Sequence, residues 1–161
     1  MNILYLHGLH SKLSQPKRKL LEQYGKVFAP DTAYENKHIQ PVEILKQYRD
    51  THFNVVIGSS MGALNAFIIS ENIGRPALIF NPPLKKYRHV NFKAQHVKGL
   101  HTKQIFLGGN DDIVDPADTL EFLGGYKASD LSITIDQKNG HRIPLDIFRE
   151  QLAIFFSGIC Y

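Results

Sequence analysis

The sequence predicts an α/β protein: a three-layer α/β/α sandwich around a mostly parallel sheet of six strands. Three observations indicate this fold class. Short apolar runs alternate six times with segments whose apolar residues recur at helical spacing. The apolar runs are continuous, which is typical of parallel strands buried on both faces. Finally, 161 residues suffice for one core, and the chain shows no repeat or linker, so residues 1–161 are predicted to form a single domain.

The elements follow from these patterns in chain order. Strands are predicted at residues 3–6, 27–29, 53–57, 77–80, 104–107 and 131–135. Helices are predicted at residues 16–24, 41–50, 61–72, 116–123 and 144–156. Pro41 suits a first helical turn, and the helix that begins at Met61 is apolar on most sides, which predicts deep burial. Residues 84–103 are basic and weakly patterned; we predict a long loop with one short helix there, the only source for a small cap.

Composition and charge exclude several classes of function. The net charge is +4, and its two basic clusters, at residues 17–19 and 85–89, are predicted to be solvated faces. No dense basic stripe or known module indicates a nucleic-acid partner. No apolar run approaches the length of a membrane span, and the N-terminus lacks the pattern of a secretory signal. The single cysteine, Cys160, permits no internal disulfide. These observations together favour a cytoplasmic protein; they predict nothing about its oligomeric state.

The most informative motif is G-x-S-x-G at residues 58–62. It follows an apolar strand and opens a helix, which is the context of a nucleophile elbow. A serine at the tip of such a turn needs small neighbours, because a Cβ at Gly58 or Gly62 would clash with the adjoining strand and helix. The motif arises by chance in about one chain in twenty of this length, so its context carries the prediction. Ser60 is the predicted nucleophile, and Ser59, at a variable position, is the competing serine.

A serine hydroxyl needs a base, and the base needs an orienting acid. In hydrolases with this elbow the chain order is serine, acid, histidine. Asp111 follows the fifth predicted strand and His141 follows the sixth, so both are expected at the same sheet edge as Ser60. Asp112 remains the alternative acid. Asp115 is predicted to cap the next helix instead.

Two backbone amides are predicted to form an oxyanion hole. Met61 directly follows the nucleophile, and Leu9 lies in the loop after the first strand. His7 is predicted to brace that loop. A metal site built on His7-x-x-His10 with an aspartate was considered, but no helix places both histidines on one face, and no metal is predicted. No phosphate-binding or dinucleotide-binding motif is present, so no cofactor is predicted. The remaining histidines, at positions 38, 52, 89, 96 and 101, are predicted to be solvated.

Taken together, the motifs resemble those of a known group of enzymes. The matching segments are 5–8 with Ser11 nearby, 58–62, 80–82, 109–115 and 139–141. In this order, and over nearly the whole chain, they resemble the α/β-hydrolase superfamily, most of all the small bacterial esterases grouped as YqiA-like, with the related YcfP group. The resemblance implies Ser60 as nucleophile, Asp111 as acid and His141 as base. It also implies esterase or thioesterase activity on acyl substrates.

Two departures from the pattern qualify this implication. Ala63 stands where a glycine often follows the elbow, and residues 84–103 are shorter than the corresponding stretch of YqiA-like members, which predicts a minimal or absent cap. Proteins of the YcfP-like branch also lack a clear nucleophilic serine. We therefore predict an open cleft for small acyl esters or thioesters, lined by Tyr34, Leu84 and Tyr87. The alternatives are a hydrolase-fold binding module with little or no turnover, and a peptide or amide hydrolase that uses the same triad.

Overall fold

The computed structural model describes residues 1–90, 102–126 and 130–159. Six strands form one sheet in the order β2-β1-β3-β4-β5-β6, and every neighbouring pair is parallel. The strands are β1 (Asn2–Leu6), β2 (Lys26–Phe28), β3 (Val55–Ser59), β4 (Ala77–Phe80), β5 (Lys103–Gly108) and β6 (Leu131–Asp136). All six predicted strands are confirmed, and the sheet is wholly rather than mostly parallel.

Five α-helices connect or follow the strands. They are α1 (Gln15–Glu22), α2 (Pro41–Gln47), α3 (Met61–Ile73), α4 (Pro116–Gly124) and α5 (Leu145–Gly158). The short helix predicted within residues 84–103 is a 3₁₀ turn at Lys85–Tyr87, whereas residues 91–101 lie outside the described residues, as does Cys160. Among the described residues, no helix combines the length and apolar character needed to cross a membrane.

The helices cover the sheet as two layers, which confirms the predicted sandwich. Helices α1 and α5 pack on one face through Leu21 and Phe148, against alternate residues of β1, β3, β4 and β5. Helices α2, α3 and α4 pack on the other face against the residues between them. Every residue of α3 from Met61 to Glu71 is buried, as its apolar composition predicts. This burial fixes α3, and with it the turn that leads into it.

A buried ion pair lies at the amino edge of the sheet. Lys103 begins β5 and Glu71 lies near the end of α3; their side chains are 0% and 2% exposed. The Lys103 ammonium donates a hydrogen bond to the Glu71 carboxylate. Burial lowers the pKa of Lys103, and the adjacent carboxylate opposes that shift. Sequence analysis placed Lys103 at the end of a polar loop, which is wrong: its side chain is buried because α3 supplies an anion.

Candidate active site

The turn between β3 and α3 holds Ser60 in a rare backbone conformation. Its φ is 54° and its ψ is −120°, a combination that L-residues seldom adopt. A Cβ on Gly62 would lie 2.2 Å from the Leu6 carbonyl oxygen, and one on Gly58 would lie 2.4 Å from the Gly62 carbonyl oxygen. Both contacts are with backbone, which cannot move aside. The predicted reason for the two glycines is therefore confirmed: α3 passes too close to β1 and β3 for any side chain.

The structure brings the three predicted side chains together at the carboxyl edge of the sheet. His141 Nε2 lies 2.9 Å from Ser60 Oγ, and His141 Nδ1 lies 2.8 Å from Asp111 Oδ2. An ionised carboxylate only accepts, so Nδ1 carries the imidazole proton and Nε2 is left to accept the Ser60 hydroxyl proton. The Asp111 side chain is 0% exposed and that of His141 is 19% exposed. Solvent can therefore reach the histidine but not the carboxylate.

Asp111 is held by its own loop. Its second oxygen, Oδ1, accepts hydrogen bonds from the amides of Ile113 and Val114, each at 2.9 Å. Asp112, the alternative acid, is exposed, and the carboxylate that meets His141 is that of Asp111. Asp115 accepts a hydrogen bond from the Ala117 amide at the start of α4, which confirms its predicted capping role. Two aspartates of this loop therefore have different roles: Asp111 accepts a hydrogen bond from His141, and Asp115 caps α4.

The loop after β1 is pinned beside Ser60. A Cβ on Gly8 would lie 3.2 Å from the Ser60 Cβ. The Gly8 carbonyl oxygen accepts from the Ser11 amide at 3.2 Å and the Ser11 hydroxyl at 3.0 Å, and it lies 2.7 Å from His7 Nδ1. His7 Nε2 accepts from the Thr32 amide at 2.9 Å, so the His7 proton is on Nδ1 and is donated to Gly8. The prediction that His7 braces this loop is confirmed.

These contacts also orient the amide of Leu9. In a trans peptide the N–H points opposite to the carbonyl, so three donors on the Gly8 oxygen aim the Leu9 N–H away from them. Met61 is the first residue of α3, where an amide has no acceptor within the helix. In the parts of the chain that the structure describes, neither of these two amides donates a hydrogen bond. Within those parts of the chain, both amides are therefore left without an acceptor.

The predicted lining of the cleft is wrong for Tyr34 and Leu84 and is not confirmed for Tyr87, because the cavity that Tyr87 lines does not include Ser60, Asp111 or His141. Tyr34 and Leu84 have no exposed surface, because both pack into the core beside α3, so neither can touch a substrate. Tyr87 lines a cavity of about 350 Å³, and its hydroxyl is hydrogen-bonded to the half-buried His38, which was predicted to be solvated. The other residues around this cavity are Glu35, Asn36, Lys37, Ile39 and His89. Within the described ranges, no three histidine, cysteine or acidic side chains group as metal ligands would.

One buried polar residue at this edge received no role in the sequence analysis. Asn81 follows β4 directly, is 1% exposed and has a positive φ of 48°. Its side chain makes hydrogen bonds to Gly108 at the end of β5 and to Gly140 and His141 in the loop after β6. The available signal was the motif at residues 80–82, which supported the resemblance without indicating what the asparagine does.

Comparison with solved structures identifies the fold as that of the α/β-hydrolases. A protein from Xanthomonas campestris assigned to the alpha/beta hydrolase superfamily has a TM-score of 0.74 at 18% identity, over 98% of both chains. A variant of SOBER1 from Arabidopsis thaliana has a TM-score of 0.70 at 13% identity, again over 98% of both chains. The esterase Pf2001 from Pyrococcus furiosus has a TM-score of 0.67 at 17% identity, over 97% of this chain and 82% of its own.

The chain belongs to the uncharacterised protein family UPF0227, whose model matches residues 2–107. This match confirms the resemblance to the YqiA-like and YcfP-like proteins. No curated protein is significantly similar to the chain in sequence. The matched region includes Ser60, Leu9 and Met61 but ends before Asp111 and His141. The support for those last two residues therefore comes from the geometry of the site.

Proposed function

We propose that the protein is a serine hydrolase that cleaves carboxylic ester or thioester bonds through an acyl-enzyme on Ser60. One observation carries this proposal: the hydrogen-bonded succession from Ser60 through His141 to the buried Asp111. Each of the three residues lies on a different loop. A structural role alone would not require a strained serine whose hydroxyl faces an imidazole that solvent can reach.

The geometry supports the following reaction sequence. Ser60 Oγ attacks the acyl carbon while His141 Nε2 accepts the hydroxyl proton, and Asp111 stabilises the imidazolium that forms. The tetrahedral intermediate collapses as His141 returns the proton to the departing alcohol or thiol. A water molecule then attacks the acyl-enzyme, with His141 again acting as base, and releases the acid and free Ser60.

The negative charge that develops on the acyl oxygen needs hydrogen-bond donors. We propose that the amides of Leu9 and Met61 supply them, because both are available and flank Ser60 along the chain or in space. Loss of one such donor costs on the order of a hundred- to a thousandfold in rate. The N-terminus of α3 adds a favourable partial positive charge at the same point.

The proposed substrates are small acyl esters or thioesters, with no cofactor. The esterase from Pyrococcus furiosus, which shares the fold, supports ester chemistry as the class. Selectivity for short acyl groups rests on the brevity of residues 84–103. Amide hydrolysis and ligand binding without turnover are the rival functions on the same scaffold, because fold alone does not decide activity.

A fluorophosphonate probe tests the proposal most directly. It reacts only with an activated serine, so the wild-type protein should be labelled and the Ser60→Ala variant should not. Ser59→Ala is the matched control, since it removes the neighbouring hydroxyl, and it should be labelled like the wild type. Absence of labelling in correctly folded wild-type protein would contradict a serine hydrolase and favour the binding function.

Turnover measurements then separate the substrate classes. Nitrophenyl esters of increasing acyl length and the matching nitroanilides are compared at equal concentration. We expect kcat/KM to be highest for short acyl esters and to fall with chain length, with anilides slower throughout. Faster hydrolysis of the anilides would instead favour the amide hydrolase.

A further inference from the structure

Asn81, the residue directly after β4, has a strained backbone and a side-chain amide whose oxygen and nitrogen are both hydrogen-bonded. Asn81 has a φ of 48°, a left-handed conformation that costs free energy in residues with a Cβ. Its backbone amide continues the sheet by donating to the Phe106 carbonyl at 3.0 Å. The residue is only 1% exposed, and both polar atoms of its side chain have hydrogen-bond partners inside the protein.

Asn81 connects the strand ends that carry the predicted acid and base. Its Oδ1 accepts from the Gly108 amide at 2.8 Å, where β5 ends and the loop of Asp111 begins. Its Nδ2 donates to the carbonyl oxygens of Gly140 at 3.2 Å and of His141 at 2.9 Å. Because β4 lies beside β5 in the sheet, a residue at its end can reach the loops that follow both β5 and β6.

The preceding residue completes the arrangement. The Phe80 carbonyl accepts from the Ser60 amide at 2.9 Å. Two consecutive residues at the end of β4 thus contact the backbone of the serine, the backbone of the histidine and the strand that leads to the aspartate.

Asparagine suits this position for two physical reasons. It tolerates a positive φ better than other residues with a side chain. Its amide also offers an acceptor on one side and two donor hydrogens on the other, which matches one N–H and two carbonyls. Aspartate keeps the shape and the acceptor but would place an oxygen against two carbonyl oxygens. Glycine keeps the backbone conformation but makes none of these contacts.

We propose that Asn81 is a positioning residue that holds the backbone of His141 so that the imidazole reaches both Ser60 and Asp111. This inference rests on the proposed hydrolase function. The His141 carbonyl is one of the two oxygens that Asn81 holds, and the imidazole extends from the same residue. A shift of about 1 Å in a catalytic group can reduce the rate by about a hundredfold.

Kinetics of Asn81→Asp and Asn81→Gly test this inference. Each should lower kcat for a short nitrophenyl ester by about a hundredfold, because the base is displaced, and should leave KM nearly unchanged. Gln104→Met is the matched control. It removes a buried amide that donates to the Gln151 side chain at 2.9 Å, four residues before the end of β5. This control should lose stability and keep its kcat.

A double-variant experiment separates positioning from a general structural effect. In a His141→Ala background no imidazole remains to be positioned, so Asn81→Gly should cause little further loss of labelling or turnover. If the rate reductions of the two single variants multiply in the double variant, Asn81 does not act through His141 and the inference is overturned. The same holds if kcat of both Asn81 variants equals that of the wild type.

One measurement keeps this inference distinct from the proposed function. The proton on His141 Nδ1, donated to Asp111, gives its own NMR resonance when the hydrogen bond is intact, whether or not the protein turns over an ester. Its assignment is checked by its absence in His141→Ala. We expect the resonance in the wild type and its shift or loss in Asn81→Asp and Asn81→Gly. An unchanged resonance in both variants would overturn the inference, whereas failure of the wild type to react with the probe would overturn only the hydrolase proposal.

Discussion

Each of the two ends of the sheet carries a cluster of hydrogen-bonded polar side chains, and the two clusters differ in their exposure to solvent. At the amino edge, Glu71 of α3 meets Lys103 of β5, and both side chains are at most 2% exposed. At the carboxyl edge, the turn into α3 provides Ser60 and the loop after β5 provides Asp111. The same helix and the same strand therefore contribute to both clusters. Only the second includes a side chain, that of His141, which solvent can reach.

The comparison shows that exposure, not the presence of charge, distinguishes the two ends. In the buried ion pair, each charge is neutralised by the other, and neither side chain is exposed to a ligand. At the carboxyl edge the carboxylate is buried, yet the chain of hydrogen bonds ends at a hydroxyl on a strained turn. Substitution of Glu71 should therefore change stability and not activity, whereas substitution of Ser60 should change activity and not stability.

The largest expected effect is that of Ser60→Ala. Removal of the proposed nucleophile should reduce kcat by about a millionfold, since residual rate then comes from binding and the oxyanion donors. The free energy of unfolding, measured with urea, should change by less than about 1 kcal/mol. A variant that unfolds easily, or that keeps its turnover, would contradict the division between the two ends.

Asp111→Asn should have the next largest effect. The amide preserves the shape but can donate to His141 Nδ1 and thereby favour the wrong imidazole tautomer, so we expect kcat to fall by about ten thousandfold. Asp112→Asn, an exposed neighbour, is the control and should match the wild type. If Asp112→Asn proves the more damaging of the two, the orienting acid has been assigned to the wrong residue.

Glu71→Gln should affect stability and spare catalysis. The substitution removes the buried carboxylate that accepts a hydrogen bond from the Lys103 ammonium, and loss of one partner of a buried ion pair costs about 3–5 kcal/mol in the free energy of unfolding. In protein that remains folded, kcat should stay at the wild-type value. The double variant Glu71→Gln with Lys103→Met should regain most of the stability, because neither charge is then buried. A fall in kcat with no loss of stability would overturn the proposed separation.

The pH dependence of Glu71→Gln sharpens the same point. Burial lowers the pKa of Lys103 in the folded protein, and loss of the carboxylate lowers it further. Between the folded and unfolded pKa values, the unfolded chain binds more protons, so the free energy of unfolding rises with pH. Urea unfolding should therefore show that, from pH 7 to pH 10, the free energy of unfolding of Glu71→Gln approaches that of the double variant Glu71→Gln with Lys103→Met. Parallel curves for the two proteins would contradict a charged Lys103 as the cause.

His7→Leu should have the smallest of these effects. It removes one of three donors to the Gly8 carbonyl and leaves the Thr32 amide without its acceptor, so the Leu9 amide is less firmly oriented. We expect kcat to fall by about tenfold, less than the loss of a whole oxyanion donor. His10→Asn, which keeps a residue tolerant of the φ of 56° at this exposed position, is the control. Equal rates in all three proteins would remove His7 from any catalytic role.

The sequence by itself determined the order and type of every described α-helix and strand. Continuous apolar runs and helical spacing carried those predictions, because burial of apolar residues leaves a periodic record along the chain. The same local logic indicated the elbow, whose glycines are required within five residues of one another. It also gave the order of Ser60, Asp111 and His141, since parallel strands bring their following loops to one edge.

Only the tertiary structure decided which polar residues are satisfied by distant partners. Lys103 is buried because Glu71 lies opposite it, 32 positions earlier in the chain. Asn81 is significant because it reaches Gly108 and His141, 27 and 60 positions away. Tyr34, expected in the cleft, lies in the core instead. The sequence around a polar or aromatic residue does not indicate which distant group that residue will contact. Hydrogen bonds and ion pairs depend on a geometry that only the folded chain creates.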